Sequence, residues 1–335
     1  MVIIFAVLIF GFLIFVHELG HFLTAKKFGV KIHEFALGMG PAIFKKQKGE
    51  ILYSVRALPI GGYVKMEGED GESDDERSFG RLPALKKIIV LFAGAFMNFI
   101  SGFLIFIIIY SFSGGVLVPE IGEVIPSSPA MEAGIMEGDR IVSINGDAVH
   151  IQSDVTFSLF LSGDSEVSVE VLRKGERHTF SLTPKLEGDR YILGFYPKLE
   201  ETSFKNVLYN AFYNTFFVVR VVFESLKMMI TGQVGISEMS GPVGIVGEIG
   251  KAAKDGIMGV LNFAALIAVN LGVMNLLPFP ALDGGRILFA AIEGIRRKPV
   301  NPKIEGYIHA AGLILLFALM ILITFSDIGK IVSGG

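Results

Sequence analysis

The sequence contains no cysteine and no tryptophan. Without cysteine there are no disulfide bonds and no thiolate metal ligands, so a metal site must use histidine, carboxylate or water. Without tryptophan, tyrosine and phenylalanine are the aromatic residues left to anchor the chain at a membrane interface. The net charge of −3 over 335 residues gives no reason to expect nucleic acid as a partner. The first residues have no basic n-region and no small-residue cleavage site, so we expect no cleavable signal peptide.

Apolar residues make up 51% of the chain, and the mean hydropathy is +0.58. Four segments are long enough to cross a bilayer, which takes about 20 residues: roughly 2–25, 88–112, 259–280 and 307–325. A fifth apolar segment, residues 206–230, carries Arg220, Glu224 and Lys227 on one helical face. Because each of these charges costs about 2.5–3.5 kcal/mol at the membrane centre, we predict an amphipathic helix at the membrane surface.

The orientation in the membrane follows from basic residues beside the four predicted spans. These are Lys26 and Lys27, Lys86 and Lys87, and the group Arg296, Arg297, Lys298 and Lys303. The positive-inside rule places all of them in the cytoplasm. The N-terminus and residues 113–258 are then extracytoplasmic, which is consistent with four spans and not with five.

The predicted fold is a membrane α-helical protein with four transmembrane helices, membrane-associated β-hairpins and one inserted α+β domain outside the cytoplasm. In the inserted domain, we predict a short helix from Pro129 to Gly134 and turns at Asn145-Gly146 and Lys174-Gly175. The acidic run "EGEDGESDDE" before the second span reads as a solvated loop. The predicted segments are 1–26 (first span), 27–86 (β-hairpins and acidic loop), 87–112 (second span), 116–197 (α+β domain), 200–232 (surface helix), 233–258 (connection), 259–286 (third span) and 304–326 (fourth span).

The first predicted span contains the motif H-E-x-x-H, formed by His17, Glu18 and His21. Residues i and i+4 of a helix lie about 5–6 Å apart on one face, so the two imidazoles can bind one Zn²⁺ ion. Glu18 can then reach the water that completes the coordination. The alternative is a polar contact between helices, but ionisable groups inside a membrane are rare and usually functional.

Zinc needs a third protein ligand, and Asp283 is our candidate. It is the only carboxylate between Asp255 and Glu293, and it lies at the cytoplasmic end of the third predicted span. His21 lies about 7–8 Å of helix rise from the cytoplasmic flank of its own span, so the ligands can reach a similar depth. Alternatively, Asp283 caps the following helix or pairs with Arg286.

The segment that precedes Asp283 contains three candidates for substrate binding: Asn275, Pro278 and Pro280. The prolines break the helix and free backbone groups, which a membrane tolerates only where they are buried or line a polar cavity. An unwound substrate strand could use these groups; the alternative is a kink filled by neighbouring helices. The hairpin glycines Gly61 and Gly62 either pair with substrate by strand addition or simply form turns.

The motifs "HELGH", "NLLPFPALDGG" and "LPIGGYVKM" resemble those of the site-2 protease family, in particular the bacterial regulator of sigma E proteases. The resemblance implies His17, His21 and Asp283 as zinc ligands and Glu18 as the catalytic acid and base. It also implies substrate contacts at Asn275, Pro278 and Pro280, membrane-associated β-structure over residues 38–41 and 58–66, and a PDZ domain over residues 116–197. The family often has proline where Ala95 stands, whereas Asn98 is retained.

The sequence therefore predicts an intramembrane zinc metalloprotease of the inner membrane, with its active site toward the cytoplasm. The resemblance implies that its substrates are single-span membrane proteins such as anti-sigma factors. Alternatives are a protease that clears signal-peptide remnants, and a PDZ-bearing scaffold or metal transporter without hydrolytic activity. The PDZ domain either binds a new C-terminus at Ile121-Gly122 or gates access to the active site. Better-known members carry two PDZ domains, and this chain has room for one.

Overall fold

The computed structural model describes residues 2–69, 71, 73–235, 240–298 and 300–333. Its contacts divide the chain into two units, Met1–Ile105 with Val219–Gly335, and Phe106–Val218. The helices are α1 (Val2–Lys27), α2 (Ala84–Phe112), α3 (Pro129–Ala133), α4 (Gln152–Ser162), α5 (Phe204–Ile230), α6 (Pro242–Lys254), α7 (Gly256–Leu276), α8 (Asp283–Arg296) and α9 (Pro302–Ser333). The chain passes between the units within α2 and within α5.

Within the described residues, four helices are long and apolar enough to cross a membrane, namely α1, α2, α7 and most of α9. They coincide with the four apolar segments predicted from the sequence. Helix α5 forms where an amphipathic helix was predicted and is not among the four. The segment 233–258, predicted as a connection, contains helix α6.

The first unit also contains a sheet of two long strands, β1 (Ile32–Lys48) and β2 (Ile51–Met66). Residues 34–37 of β1 pair on one side with residues 62–65 of β2 and on the other with residues 52–55. Both strands must therefore bend, and Gly38 and Gly40 supply positive φ angles of 85° and 83° at the bend in β1. A core that includes Phe22, Phe35 and Val64 packs the sheet against the end of α1, which brings β2 near the H-E-x-x-H segment.

The acidic segment after β2 was predicted to be a solvated loop, but several of its side chains have ion-pair or hydrogen-bond partners. Lys31 Nζ lies 2.8 Å from Asp75 Oδ2, and His33 Nε2 lies 2.6 Å from Glu67 Oε2. The hydrogen bond from Lys31 lowers the pKa of Asp75. Hydrogen bonds from Ser73 and His33 likewise lower the pKa of Glu67. The periodicity of the sequence could not reveal these partners, because His33 lies in β1 and Lys31 directly precedes that strand.

The third predicted span, 259–286, is not one continuous helix. Helix α7 ends at Leu276, residues 277–282 are not helical, and α8 begins at Asp283. Pro278 and Pro280 explain the break, because proline donates no backbone hydrogen bond and disfavours helix in the residue before it. Ala281 has a positive φ of 74°. The segment 277–282 is here called the aspartate loop. Because it is not helical, the direction of α7 does not determine the position of Asp283.

The second unit is built on strands β3 (Val116–Val124), β4 (Arg140–Ile144), β5 (Asp147–Ala148), β6 (Val167–Arg173), β7 (Glu176–Leu182) and β10 (Phe195–Glu200). The strand order is β10-β3-β4-β6-β7, β5 pairs with β4, and β8 (Lys185–Glu187) and β9 (Arg190–Ile192) form a separate hairpin. A core including Ile121, Ile141 and Val169 lies in this module. The backbone N–H of Ile121 donates to Asp139, and its carbonyl accepts from Gly138.

The short helix and the two turns predicted for the second unit are present in the structure. Helix α3 begins at Pro129 and ends before Gly134, whose φ is 87°. The turns 145–146 and 174–175 have positive φ angles at both residues, as two-residue hairpin turns of type I′ require. An ion pair of Asp139 with Arg173 was not predicted. Burial alone would raise the pKa of Asp139, but hydrogen bonds from Arg173 and the Met136 N–H hold it below its ordinary value.

Candidate metal centre and active site

Helix α1 brings His17 and His21 together, as their spacing predicts. Their Nε2 atoms lie 3.2 Å apart. Oδ2 of Asp283, the first residue of α8, lies 3.2 Å from His17 Nε2 and 3.3 Å from His21 Nε2. Three potential ligand atoms from two distant parts of the sequence therefore converge on one point.

The three atoms fit a zinc ion. Ligands about 2.0–2.1 Å from one tetrahedral zinc lie about 3.3 Å apart, close to the separations of 3.2 and 3.3 Å found here. Within the described part of the chain, Asp283 Oδ2 is buried and accepts no hydrogen bond. A buried carboxylate oxygen in this state is costly without a cation. The nitrogen and oxygen donors are also types that zinc accepts.

The other ring nitrogens of the histidines contact groups that can orient the rings. His21 Nδ1 lies 2.8 Å from the carbonyl oxygen of Val90 in α2, so it donates there and leaves Nε2 free for a metal. His17 Nδ1 lies 3.4 Å from Asn98 Nδ2 and 3.5 Å from Asn275 Nδ2. Asn98 is 1% exposed, and its Oδ1 has no hydrogen-bond partner among the described residues. Because amide nitrogen and oxygen are interchangeable assignments, turning the Asn98 amide over lets Oδ1 accept from His17 Nδ1–H.

Glu18 lies beside the metal cluster, where its carboxyl group interacts electrostatically with His17, His21, Asp283 and Arg286. Gly62 of β2 packs against it, since a Cβ atom on Gly62 would lie 3.0 Å from Glu18 Cγ. This close approach places a strand of the sheet next to the glutamate.

Helix α2 approaches the histidines through Gly94. A Cβ atom on this residue would lie 2.4 Å from His21 Nε2 and 2.8 Å from His17 Cε1. Gly94 and the Val90 carbonyl could not be identified from the sequence, because nothing in the sequence of α2 indicates that it faces α1. Asn98 was named only through the family resemblance.

The predicted substrate-binding residues have different surroundings. The structure brings Asn275 to His17 and Gly62 to Glu18, as described above. A Cβ atom on Gly61 would instead contact the Met39 side chain, and Pro280 lies against Gly312 of α9. Pro278 belongs to the aspartate loop. Arg286 pairs with Glu69, a partner not considered among the alternatives for Asp283.

A histidine–histidine–aspartate cluster with an adjacent glutamate, set among long apolar helices, is the arrangement expected of a metal-dependent hydrolase in a membrane. The model of peptidase family M50 matches residues 5–319. The chain belongs to this family, and it is a zinc metalloprotease and an integral membrane protein.

Relatives cover nearly the whole chain. A Clostridium perfringens protein, classed by name with the zinc metalloproteases, is 41% identical over 331 residues, which cover 98% of each chain. The zinc metalloprotease RasP of Shouchella clausii is 34% identical, covering 97% of this chain and 98% of its own. The regulator of sigma-W protease RasP of Bacillus subtilis is 32% identical, with 97% of each chain covered.

Proposed function

We propose that this zinc metalloprotease hydrolyses peptide bonds within the transmembrane segments of single-span membrane proteins of the anti-sigma-factor type. The observation that carries the proposal is the convergence of His17 Nε2, His21 Nε2 and Asp283 Oδ2 at separations of 3.2 and 3.3 Å. The cluster involves apolar helix α1 and the start of α8, so a substrate would meet it at membrane depth. The name of the Bacillus subtilis relative, a regulator of sigma-W protease, supports a membrane-signalling substrate.

In this proposal, His17, His21 and Asp283 hold the zinc ion and Glu18 moves the proton. Zinc in such a site supplies a Lewis acid and an activated water. Glu18 accepts a proton during attack on the peptide carbonyl and returns it to the leaving amine. Its position beside the cluster and near Arg286 supports this role.

We further propose that the substrate binds as an extended strand between Asn275 and the β2 segment around Gly61 and Gly62. A helical peptide shields its own carbonyl groups, so unwinding must precede hydrolysis. Asn275 contacts the ring of His17, and Gly62 contacts Glu18, so both lie beside the reacting groups. Exposed Met39, Ile43 and Phe44 of β1 support association of this sheet with the membrane.

The proposal also covers the side of the membrane on which the active site lies and the role of the second unit. The basic flanks support a cytoplasmic active site and an extracytoplasmic PDZ domain. We favour gating by this domain over peptide capture at Ile121-Gly122, because Ile121 is 1% exposed and its backbone groups are already hydrogen-bonded. The chain has no cysteine, so single cysteines at Gly163 and Gly235 can be labelled selectively. Labelling from one side supports α5 as a surface helix, and labelling from opposite sides contradicts it.

The test of the function compares wild type with Glu18→Gln, using the full chain in lipid vesicles and a single-span model substrate. We expect Glu18→Gln to keep its zinc and to lose about 10²–10⁴-fold in cleavage rate. The matched control is Glu132→Gln, the same change at an exposed position of α3, which should cleave like wild type. Unchanged cleavage by Glu18→Gln would exclude the proposed role, and zinc loss would assign Glu18 to metal binding.

A further inference from the structure

His309 of α9 contacts the aspartate loop. Helix α9 is apolar enough to span a membrane, and an ionisable residue in such a helix is costly unless it has a specific role. His309 Nδ1 accepts a 2.9 Å hydrogen bond from the backbone N–H of Ala281. Because Ala281 lies two residues before Asp283, this bond acts on the backbone that leads directly into the third ligand.

The backbone at Ala281 needs such support. Its φ angle of 74° is in the left-handed region, which is unfavourable for a residue with a Cβ atom. Strained conformations persist only where the surrounding structure holds them. Ala281 also follows Pro280, which has no N–H of its own to offer. The Ala281 N–H is therefore a donor through which a neighbouring element can hold this part of the loop.

Helix α9 contacts both elements that flank Asp283. One turn after His309, Gly312 lets the helix backbone approach the loop, since a Cβ atom there would lie 2.4 Å from Pro280 Cβ and 2.6 Å from Pro280 O. The His309 ring also packs against Phe289 of α8, with ring centroids 5.5 Å apart. The same histidine thus touches the loop before Asp283 and the helix after it.

The ring is oriented so that Nδ1 can accept. Nδ1 of a neutral histidine is an acceptor only when the proton is on Nε2. Glu305 Oε1, one helical turn before His309, lies 3.7 Å from Nε2, and a carboxylate on that side favours the Nε2–H tautomer. The surroundings of the ring therefore agree with the hydrogen bond from Ala281.

We propose that His309 is a positioning residue. By accepting the Ala281 N–H, it holds the aspartate loop in the conformation that directs Asp283 toward His17 and His21. The proposal rests on the proposed function only in taking Asp283 as a zinc ligand. It concerns the order of the loop, which can be measured without zinc and without substrate.

The test compares two replacements that both carry an uncharged side-chain amide, His309→Asn and His309→Gln. The Asn Oδ1 atom takes nearly the place of Nδ1, whereas the Gln carbonyl takes nearly the place of Nε2. One readout is hydrogen–deuterium exchange of the Ala281 amide in the metal-free full chain in detergent micelles. The second is the zinc dissociation constant, measured by competition with a chelator.

We expect His309→Asn to resemble wild type in both measurements. His309→Gln should speed Ala281 exchange and weaken zinc binding by about 10–100-fold, as removal of partners that orient metal ligands does. Adding Ala281→Gly to His309→Gln should recover part of the zinc affinity, because glycine adopts a positive φ without help. Exchange in the first-unit core around Phe35 and Val64 reports separately on the folding of the unit that carries the mutations, and it should be the same in all variants.

Equal behaviour of His309→Asn and His309→Gln would overturn the proposal, because ring packing rather than the acceptor would then be responsible. Slower or unchanged Ala281 exchange in His309→Gln would overturn it as well. A wild-type chain that shows the expected exchange pattern and binds zinc, but cleaves no membrane substrate, would contradict the proposed function and leave the role of His309 supported.

Discussion

The two halves of the candidate metal centre are built differently. His17 and His21 lie on a continuous helix, where the i, i+4 spacing alone places both rings on one face. Asp283 follows a non-helical loop with two prolines and a left-handed alanine. The histidine half is therefore specified by local sequence, and the aspartate half depends on contacts with other elements.

The supporting contacts show the same difference. The histidines are supported by the close approach of α2. Gly94 permits this approach because it has no side chain, and the Val90 carbonyl accepts a hydrogen bond from His21. The aspartate half is supported by the hydrogen bond from the Ala281 N–H to His309 of α9. It also requires the first turn of α8 to pack closely against the aspartate loop. At Gly284, for example, a Cβ atom would lie 2.1 Å from the Leu277 carbonyl oxygen. A site joined from two such halves should respond differently when each half is disturbed.

The largest expected effect is removal of one ligand from either half. We expect His21→Ala and Asp283→Ala each to weaken zinc binding by roughly 10³-fold, since a third of a typical zinc binding energy of about 10–16 kcal/mol is then lost. Cleavage should fall below detection in both. The measurements are metal content after dialysis and cleavage of a single-span substrate.

The control for ligand removal is Asp147→Ala, because Asp147 is an exposed carboxylate of β5 in the second unit. It should keep its zinc and its activity. Retained zinc and activity in Asp283→Ala would mean that the aspartate half is not part of the metal site. The metal would then be held without the aspartate half.

A second prediction uses glycine substitutions to disturb each half without removing a ligand. Gly94→Ala places a methyl group 2.4 Å from His21 Nε2, and Gly284→Ala places one 2.1 Å from a loop carbonyl. Displacing catalytic groups by about 1 Å costs on the order of 10²-fold in rate, so we expect losses of that size in both. Steady-state cleavage kinetics measure them.

Gly11→Ala in α1 is the matched control, because a Cβ atom there has no neighbour within 4 Å. Backbone exchange should separate the two variants. Gly94→Ala should leave the aspartate loop unchanged, whereas Gly284→Ala should loosen it. Loosening of the loop by Gly94→Ala would show that the two halves are not independent.

A smaller effect is expected at Asn98, which supports the histidine half. Asn98→Leu removes the acceptor for His17 Nδ1–H and should weaken zinc binding by about 10–100-fold. Asn98→Asp keeps an acceptor oxygen and should bind zinc more tightly than Asn98→Leu. Chelator competition measures both constants, and equal losses would show that Asn98 acts by packing alone.

The same division explains what could be predicted from the sequence. The four apolar helices, the H-E-x-x-H face and the glycine turns of the second unit depend on local patterns, and the structure contains them at the expected places. Asp283 was chosen because it stands alone between distant carboxylates, and the structure brings it to the histidines. A break in the helix near Pro278 and Pro280 was also expected, although the predicted span continued to residue 286 and the structure ends α7 at Leu276.

What the sequence did not reveal depends on contacts between distant segments. Gly94 faces the histidines because of how α2 packs on α1, and no periodicity in α2 indicates it. His309 lies within an apolar run, and its partner is a backbone N–H, which has no residue type to recognise. The charges of the acidic segment were assigned to solvent because their partners, Lys31 and His33, lie more than 30 residues earlier in the chain, at the start of β1.

The smallest expected effect separates the halves without any mutation. If Asp283 is a zinc ligand as proposed, removing zinc with a chelator takes away the cation that balances its carboxylate. We expect amide exchange in residues 277–283 to rise by a few-fold to about tenfold, because loops with few buried backbone hydrogen bonds open most easily. Residues 14–24 should stay protected, because helix hydrogen bonds do not depend on the metal. Mass spectrometry of the two peptides before and after chelation measures the difference, and an equal rise in both would mean that zinc, rather than helix geometry, holds the histidine half in place.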